Sequence, residues 1–153
     1  AGHHLHAAPV NVPPQVTLVY GLDDGLEDRA VAWARNWAAA TAPIALRYTR
    51  AAVTRDYENS AWYLFLMPRE IPPGLVELDR RLNTGLVPEA AEAGFDAHLS
   101  LGRFQERVLA DAVARDVNDE GVNIPARIEA LAVLRFDGTD VLSRVDVPLG
   151  GTA

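Results

Sequence analysis

The sequence contains no cysteine and no lysine, and each absence excludes a class of chemistry. Without cysteine there is no disulfide, no thiolate nucleophile and no cysteine metal ligand. All 14 positively charged side chains are arginines, so Schiff-base chemistry and a lysine-dependent phosphate loop are excluded as well. Codon bias in a GC-rich genome is the simplest explanation for the use of arginine in place of lysine throughout the chain.

Long apolar runs are also missing. No segment approaches the roughly 20 apolar residues of a membrane span, and the first ten residues, AGHHLHAAPV, lack the design of a signal peptide. We therefore expect a cytoplasmic protein with no membrane partner. The three histidines of the first six residues are interpreted as a tag remnant or a disordered arm. The net charge of −7 gives no overall attraction to nucleic acid, so a phosphate site would have to be local.

The predicted secondary-structure elements occur in an order that repeats once along the chain. Apolar and β-branched runs predict strands, and apolar residues at helical spacing predict helices. The first half reads as a strand at 16–20, a helix within 23–40, strands at 44–53 and 61–67, and a helix at 72–85. The second half reads as a strand at 97–103, a helix within 105–118, a long strand at 126–136, a DGT turn and a strand at 140–149.

This repeat predicts an α+β fold made of two duplicated lobes. We expect a single domain over residues 1–153, with lobe one at about 13–70, a linking helix at about 72–85 and lobe two at about 95–148. Mostly antiparallel sheets would line a central cleft, and the helices would lie outside. A pseudo-twofold relation between the lobes would bring their matching strands together at that cleft.

Two short stretches place polar residues at matching positions in the two halves. In AHLSLGR, alternation on a strand puts His98 and Ser100 on one face. In QVTLVY, 83 residues earlier, Gln15 and Thr17 hold the same two positions. The first question is therefore whether these two stretches face each other.

These stretches resemble the paired His-x-Thr/Ser motifs of the 2H phosphoesterase superfamily, which includes cyclic nucleotide phosphodiesterases and 2′-5′ RNA ligase-like enzymes. The resemblance covers roughly residues 13–148 and implies catalysis without a metal or other cofactor. It implies that His98 is a general acid or base, that Gln15 stands where the histidine of the first motif would be, and that Thr17 and Ser100 donate hydrogen bonds to phosphate.

Other residues are candidates for binding the rest of a substrate. Arg103, three residues after Ser100, would add a charge-assisted contact to phosphate or else form a surface ion pair. The expected substrate is a small phosphorylated molecule, a nucleotide or an RNA end. Four aromatic residues could stack on its base, although alternation lets only some of them face the cleft: Tyr20, Tyr48, Trp62 and Tyr63.

The sequence departs from the superfamily pattern at two places. Gln15 does not titrate near neutral pH and cannot carry a proton. An engineered knock-out, a natural loss that leaves a binder, and a natural change of chemistry all remain open. In addition, only 14 residues precede Gln15, where the superfamily usually has a strand and a helix. A second copy of the chain is therefore a candidate partner that would complete the cleft.

The leading hypothesis is a metal-independent phosphoesterase acting on cyclic phosphates or phosphodiesters of nucleotides or RNA ends, impaired by Gln15. Two alternatives belong to other classes. One is a non-catalytic binder of a phosphorylated small molecule. The other is a biosynthetic isomerase or cyclase that uses His98 as its only acid–base group.

Overall fold

The structure is a computed structural model that describes residues 14–92, 94–137 and 140–151. It confirms the predicted α+β class. Two short 3₁₀ turns, Asp24–Leu26 and Pro88–Ala90, accompany the longer elements. In chain order these are α1 (Glu27–Ala39), β1 (Ile44–Asp56), β2 (Ala61–Pro68), α2 (Pro73–Leu86), β3 (Leu99–Phe104), α3 (Arg107–Asp119), β4 (Ile124–Ile128), β5 (Ala130–Asp137) and β6 (Asp140–Pro148).

The strands form two sheets. The larger sheet has the order β3-β2-β1-β4, and the pairs β1–β2 and β2–β3 are antiparallel. The smaller sheet is the antiparallel hairpin of β5 and β6, which confirms the hairpin expected around the DGT turn. Gly138 and Thr139 of that turn lie outside the described residues.

The described residues divide into two compact units. The first contains residues 14–16, 47–70 and 97–125. The second contains the described residues of 17–46, 71–96 and 126–151. Each unit combines segments from both halves of the chain, and the lobe bounds expected from the sequence stay a prediction.

In the first unit, α3 packs against one face of the antiparallel strands. The buried cluster contains Ala51, Leu64 and Phe104 from the three strands, together with Ala110 and Ala114 from α3. The small alanine side chains allow the helix to approach the sheet closely. Burial of this apolar surface is the main term that stabilises the unit.

In the second unit, α1 packs against α2 and against the β5–β6 hairpin. The three leucines predicted to point inward from α2, Leu75, Leu78 and Leu82, are all buried. Gly85 was expected to follow the end of this helix, but it lies within the last turn. The Trp33 indole occupies the space that a Cβ at Gly85 would need, so this glycine permits close packing of the two helices.

The strand predicted at 16–20 is wrong, because residues 15–23 form no helix or strand. The apolar run VTLVY has a high strand propensity, but a strand needs a neighbouring backbone to pair with. Here the carbonyl of Leu18 instead accepts a hydrogen bond from the buried Asn83 side chain of α2, at 3.1 Å. A side chain therefore satisfies a backbone group that a sheet would otherwise have satisfied.

The single long strand predicted at 126–136 is also wrong. The chain leaves the strand conformation at Glu129, so that β4 belongs to the larger sheet and β5 to the hairpin. The carbonyl of Glu129 accepts a hydrogen bond from the backbone of Leu149, at 2.8 Å. No helix within the described ranges is long and apolar enough to cross a membrane.

Candidate functional site

The three antiparallel strands β1, β2 and β3 have two chemically different faces. Residues that pair directly across strands share a face, so the register assigns each side chain to one of them. One face packs on α3 and is termed the α3 face. The opposite one is termed the His98 face, and its members are Arg50, Ala52, Thr54, Asp56, Ala61, Tyr63, Phe65, Met67, Ser100 and Arg103.

A β-bulge at Leu101 places Ser100 and Arg103 on the same face. Ser100 pairs with Phe65, and Arg103 pairs with Tyr63, although three residue steps on β3 correspond to only two on β2. In a regular strand, residues three apart point to opposite faces, so Arg103 would have pointed towards α3. The bulge thus brings a hydroxyl and a guanidinium onto one surface.

His98 lies immediately before β3 and is half-buried. Its imidazole stacks on the Phe65 ring, with centroids 4.0 Å apart and planes inclined by 25°. Phe65 in turn stacks on Tyr63, with centroids 5.4 Å apart and planes inclined by 13°. Three nearly parallel rings, termed the aromatic stack, therefore follow one another across this surface.

The buried carboxylate of Asp56 lies at the Tyr63 end of the aromatic stack. The Tyr63 hydroxyl lies beside the Asp56 carboxylate and the Arg103 guanidinium, and both groups influence its pKa. Arg103 Nη1 also lies 3.8 Å from Asp56 Oδ2, so the predicted alternative of an ion pair is realised with an aspartate of 7% exposure. This pairing leaves the guanidinium one-third exposed and able to contact a further anion.

The same interactions shift the acidities of Asp56 and Tyr63. Hydrogen bonding from the Asn59 side chain, more than any other contact, lowers the pKa of Asp56, and the Tyr63 hydroxyl adds to this. Burial, with the charge of Asp56 as the second cause, raises the pKa of Tyr63. Tyr63 is therefore a neutral hydrogen-bond donor at neutral pH, and Asp56 is an ionised acceptor.

Two aromatic residues proposed from the sequence are placed wrongly for stacking on a ligand. Tyr48 is only 1% exposed, and burial raises the pKa of its hydroxyl. Trp62 packs against the cluster on the α3 face, where the guanidinium groups of Arg55 and Arg107 lie 5.8 and 5.1 Å from its ring centroid. Of the aromatic candidates on β2, only Tyr63 is on the His98 face.

The remaining predicted residues lie on the segment before α1. Gln15 and Thr17 are both exposed, and Tyr20 is 87% exposed. Gln15 belongs to the first unit, as His98 does, whereas Thr17 and Tyr20 belong to the second. Their roles as partner of His98, phosphate donor and base-stacking residue stay predictions.

Sequence reasoning missed three residues of the His98 face. The residues not proposed are Phe65, Asp56 and Arg50. Strand alternation along AWYLFLM already puts Tyr63, Phe65 and Met67 on one face and the residues between them on the other. That signal could have identified Phe65, but the contacts of Asp56 require the register between the strands. Arg50 is exposed, and the described part of the chain offers it no ion-pair partner within 4.0 Å.

This face carries histidine, hydroxyl and guanidinium groups, which are types of side chain that can transfer protons or bind phosphate. Among the described residues, no cluster of three or more histidine, aspartate or glutamate side chains could hold a metal ion. The chemical groups of this face are compatible with binding a phosphate ester.

A sequence profile of the 2′-5′ RNA ligase superfamily matches residues 2–140, and the chain belongs to that superfamily. The resemblance to 2H phosphoesterases is thereby confirmed. The fold is similar to the crystal structure of TT0787 of Thermus thermophilus, with a TM-score of 0.58 and 17% sequence identity. The similarity covers 90% of this chain and 79% of that chain. No curated protein matches significantly.

Proposed function

We propose that the chain binds a phosphate ester of a nucleotide or RNA end on the His98 face and acts as a metal-independent phosphoesterase. The observation that carries this proposal is that the bulge at Leu101 puts Ser100 and Arg103 on the face where His98 stacks on Phe65. Superfamily membership supports the same class of enzyme. The expected substrate is a 2′,3′-cyclic phosphate or a related phosphodiester.

Opening a cyclic phosphate requires two proton transfers. Water attacks phosphorus, its proton passes to a base, and the bond from phosphorus to the 2′ or 3′ oxygen breaks as that oxygen receives a proton. His98 would perform one of these transfers. The Ser100 hydroxyl and the Arg103 guanidinium would donate hydrogen bonds to the non-bridging oxygens, where negative charge increases in the transition state.

Gln15 is the reason to expect slow turnover. An amide can hydrogen-bond to phosphate or to water, but it can neither accept nor release a proton at neutral pH. One general acid or base typically contributes about 10²–10⁴-fold to the rate. A site with a single histidine would therefore retain phosphate binding and lose most of the catalysis.

The same glutamine favours a second candidate function, a binder of a phosphorylated small molecule. Such a protein would need the Ser100 and Arg103 donors but no second histidine. Titration of a nucleoside 2′- or 3′-monophosphate into the chain and into a Ser100→Ala variant measures this binding directly. Equal affinity of the two proteins would show that the hydroxyl does not contact phosphate.

Hydrolysis of 2′,3′-cyclic nucleotides by the chain, by Gln15→His and by His98→Ala tests the enzymatic proposal. We expect slow hydrolysis by the chain, a gain of about 10²–10⁴-fold in Gln15→His, and no hydrolysis in His98→Ala. Hydrolysis by Gln15→His alone would support a binder or a knock-out. No hydrolysis by either of the two proteins that retain His98 would contradict the phosphoesterase and favour an isomerase or cyclase that uses His98 alone.

A further inference from the structure

We propose that Phe65 is a positioning residue for His98 and that the aromatic stack fixes the plane of the imidazole. This inference rests on the proposed function, because it concerns the group that moves the proton. It adds a residue that acts through His98 and does not touch the substrate.

The contacts that orient the His98 side chain follow from its position at the end of the paired strands. Pairing between β2 and β3 stops at Leu66 and Leu99, so His98 lies just beyond the paired strand. Within the described ranges, neither ring nitrogen hydrogen-bonds to another residue, and no carboxylate orients the ring as in a catalytic triad. The face-to-face contact with Phe65 at 4.0 Å restricts rotation of the imidazole.

Phe65 is itself held from its other side. The Tyr63 ring stacks on it, and the Tyr63 hydroxyl lies beside the paired side chains of Asp56 and Arg103. Asp56 is immobilised by the β1–β2 turn, since its carboxylate accepts the backbone N–H groups of Glu58 and Asn59 at 3.2 Å. The β1–β2 turn is thereby connected to His98 through the rings of Tyr63 and Phe65.

This arrangement has a specific consequence for catalysis. Stacking covers a face of the imidazole and leaves both nitrogens, which lie on the ring edge, free to exchange protons with water and substrate. Without Phe65 the ring would sample additional rotamers, and only a fraction of molecules would present a nitrogen to the reacting oxygen. Small losses of alignment in enzymes cost up to about 100-fold in rate, whereas the phosphate donors of β3 would still bind substrate.

A Phe65→Leu variant tests the proposal, with Phe65→Tyr as the conservative variant and Phe104→Leu as the matched control. Phe104 is a buried phenylalanine of β3 on the α3 face, so its replacement removes the same ring on the opposite side of the sheet. We expect kcat for a 2′,3′-cyclic nucleotide to fall by about 10–100-fold in Phe65→Leu with KM within about threefold. Phe65→Tyr should restore kcat, and Phe104→Leu should leave it unchanged at temperatures where the protein is folded.

NMR of the His98 ring protons gives a readout that does not depend on activity. The adjacent Phe65 ring should displace these resonances through its ring current, and a His98→Gln variant assigns them. We expect the displacement to disappear in Phe65→Leu and to persist in Phe65→Tyr and Phe104→Leu. If Phe65→Leu does not fold, the same comparison is made with Phe65→Met.

Unchanged His98 resonances in the folded variant, or an equal loss of kcat in Phe104→Leu, would overturn the proposal. If no protein of the series hydrolyses the nucleotide, the proposed function is wrong, and the NMR comparison alone decides whether Phe65 positions His98.

Discussion

The two faces of the same three strands differ in almost every respect. The α3 face is built from alanine, leucine and phenylalanine side chains that a helix covers. The His98 face carries two arginines, a serine, a histidine and the aromatic stack, and most of these side chains retain exposure. Both faces share one backbone. The α3 face can therefore stabilise the sheet, while the His98 face carries functional groups that contribute little to stability.

A substitution on the α3 face should have the largest effect on stability. Leu64→Ala removes a side chain of 1% exposure and leaves a cavity under α3, so we expect a loss of about 2–5 kcal/mol in the free energy of unfolding. Ser100→Ala, on the exposed His98 face, should change the same quantity by no more than about 0.5 kcal/mol. Urea denaturation followed by circular dichroism measures both values. Similar losses in the two variants would contradict the division of roles between the faces.

The two faces also explain how far the sequence could predict this structure. The helix α2 was predicted correctly because its buried leucines recur at helical spacing, and the hairpins follow from alternating runs around turn residues. These are local patterns, and they describe what packs into a core. The segment 16–20 has an equally local strand pattern, but the Asn83 side chain, 65 residues away, binds its backbone at Leu18.

The site was less predictable for a related reason. His98 and Ser100 could be identified because they resemble a known motif, but their surroundings depend on register. The bulge at Leu101 puts Arg103 on the face opposite to the one that regular alternation predicts. The local sequence HLSLGRF does not predict this bulge. Tyr48 and Trp62 were equally plausible stacking residues until the structure showed one buried and the other on the α3 face.

Replacing one arginine on each face should show whether phosphate binding depends on the His98 face in particular. Arg103→Gln removes a cation from the His98 face, and we expect a loss of about 1.5–3 kcal/mol in the binding of a nucleoside 2′- or 3′-monophosphate. The matched control is Arg55→Gln, because Arg55 pairs with Trp62 and its guanidinium lies over that ring on the α3 face. Isothermal titration calorimetry compares the two variants. An equal loss in Arg55→Gln would mean that only overall charge matters.

The smallest expected effect concerns two buried carboxylates, Asp56 on the His98 face and Asp79 in α2 of the second unit. Asp56 on the His98 face has a lowered pKa, chiefly because Asn59 hydrogen-bonds to it, and Asp79 in α2 has a raised pKa because it is buried. A lowered pKa in the folded state stabilises the protein above the pKa of the unfolded chain, and this contribution is lost as the pH falls through the folded value. A raised pKa has the opposite sign, since ionisation of the buried group destabilises the fold as the pH rises from the unfolded towards the folded value.

The two corresponding asparagine variants should therefore respond to pH in opposite ways. Asp56→Asn should be less stable than the parent chain at neutral pH, and the difference should shrink as the pH falls through the lowered pKa of Asp56. Asp79→Asn should be more stable than the parent at neutral pH, because the amide avoids a buried charge and still lies beside Asn83, which hydrogen-bonds Asp79 at 3.0 Å. That advantage should disappear as the pH falls below the raised pKa of Asp79. Thermal unfolding between pH 2 and pH 7 measures both trends. If both variants differ from the parent chain in the same direction, the environments of the two carboxylates do not differ as their contacts imply.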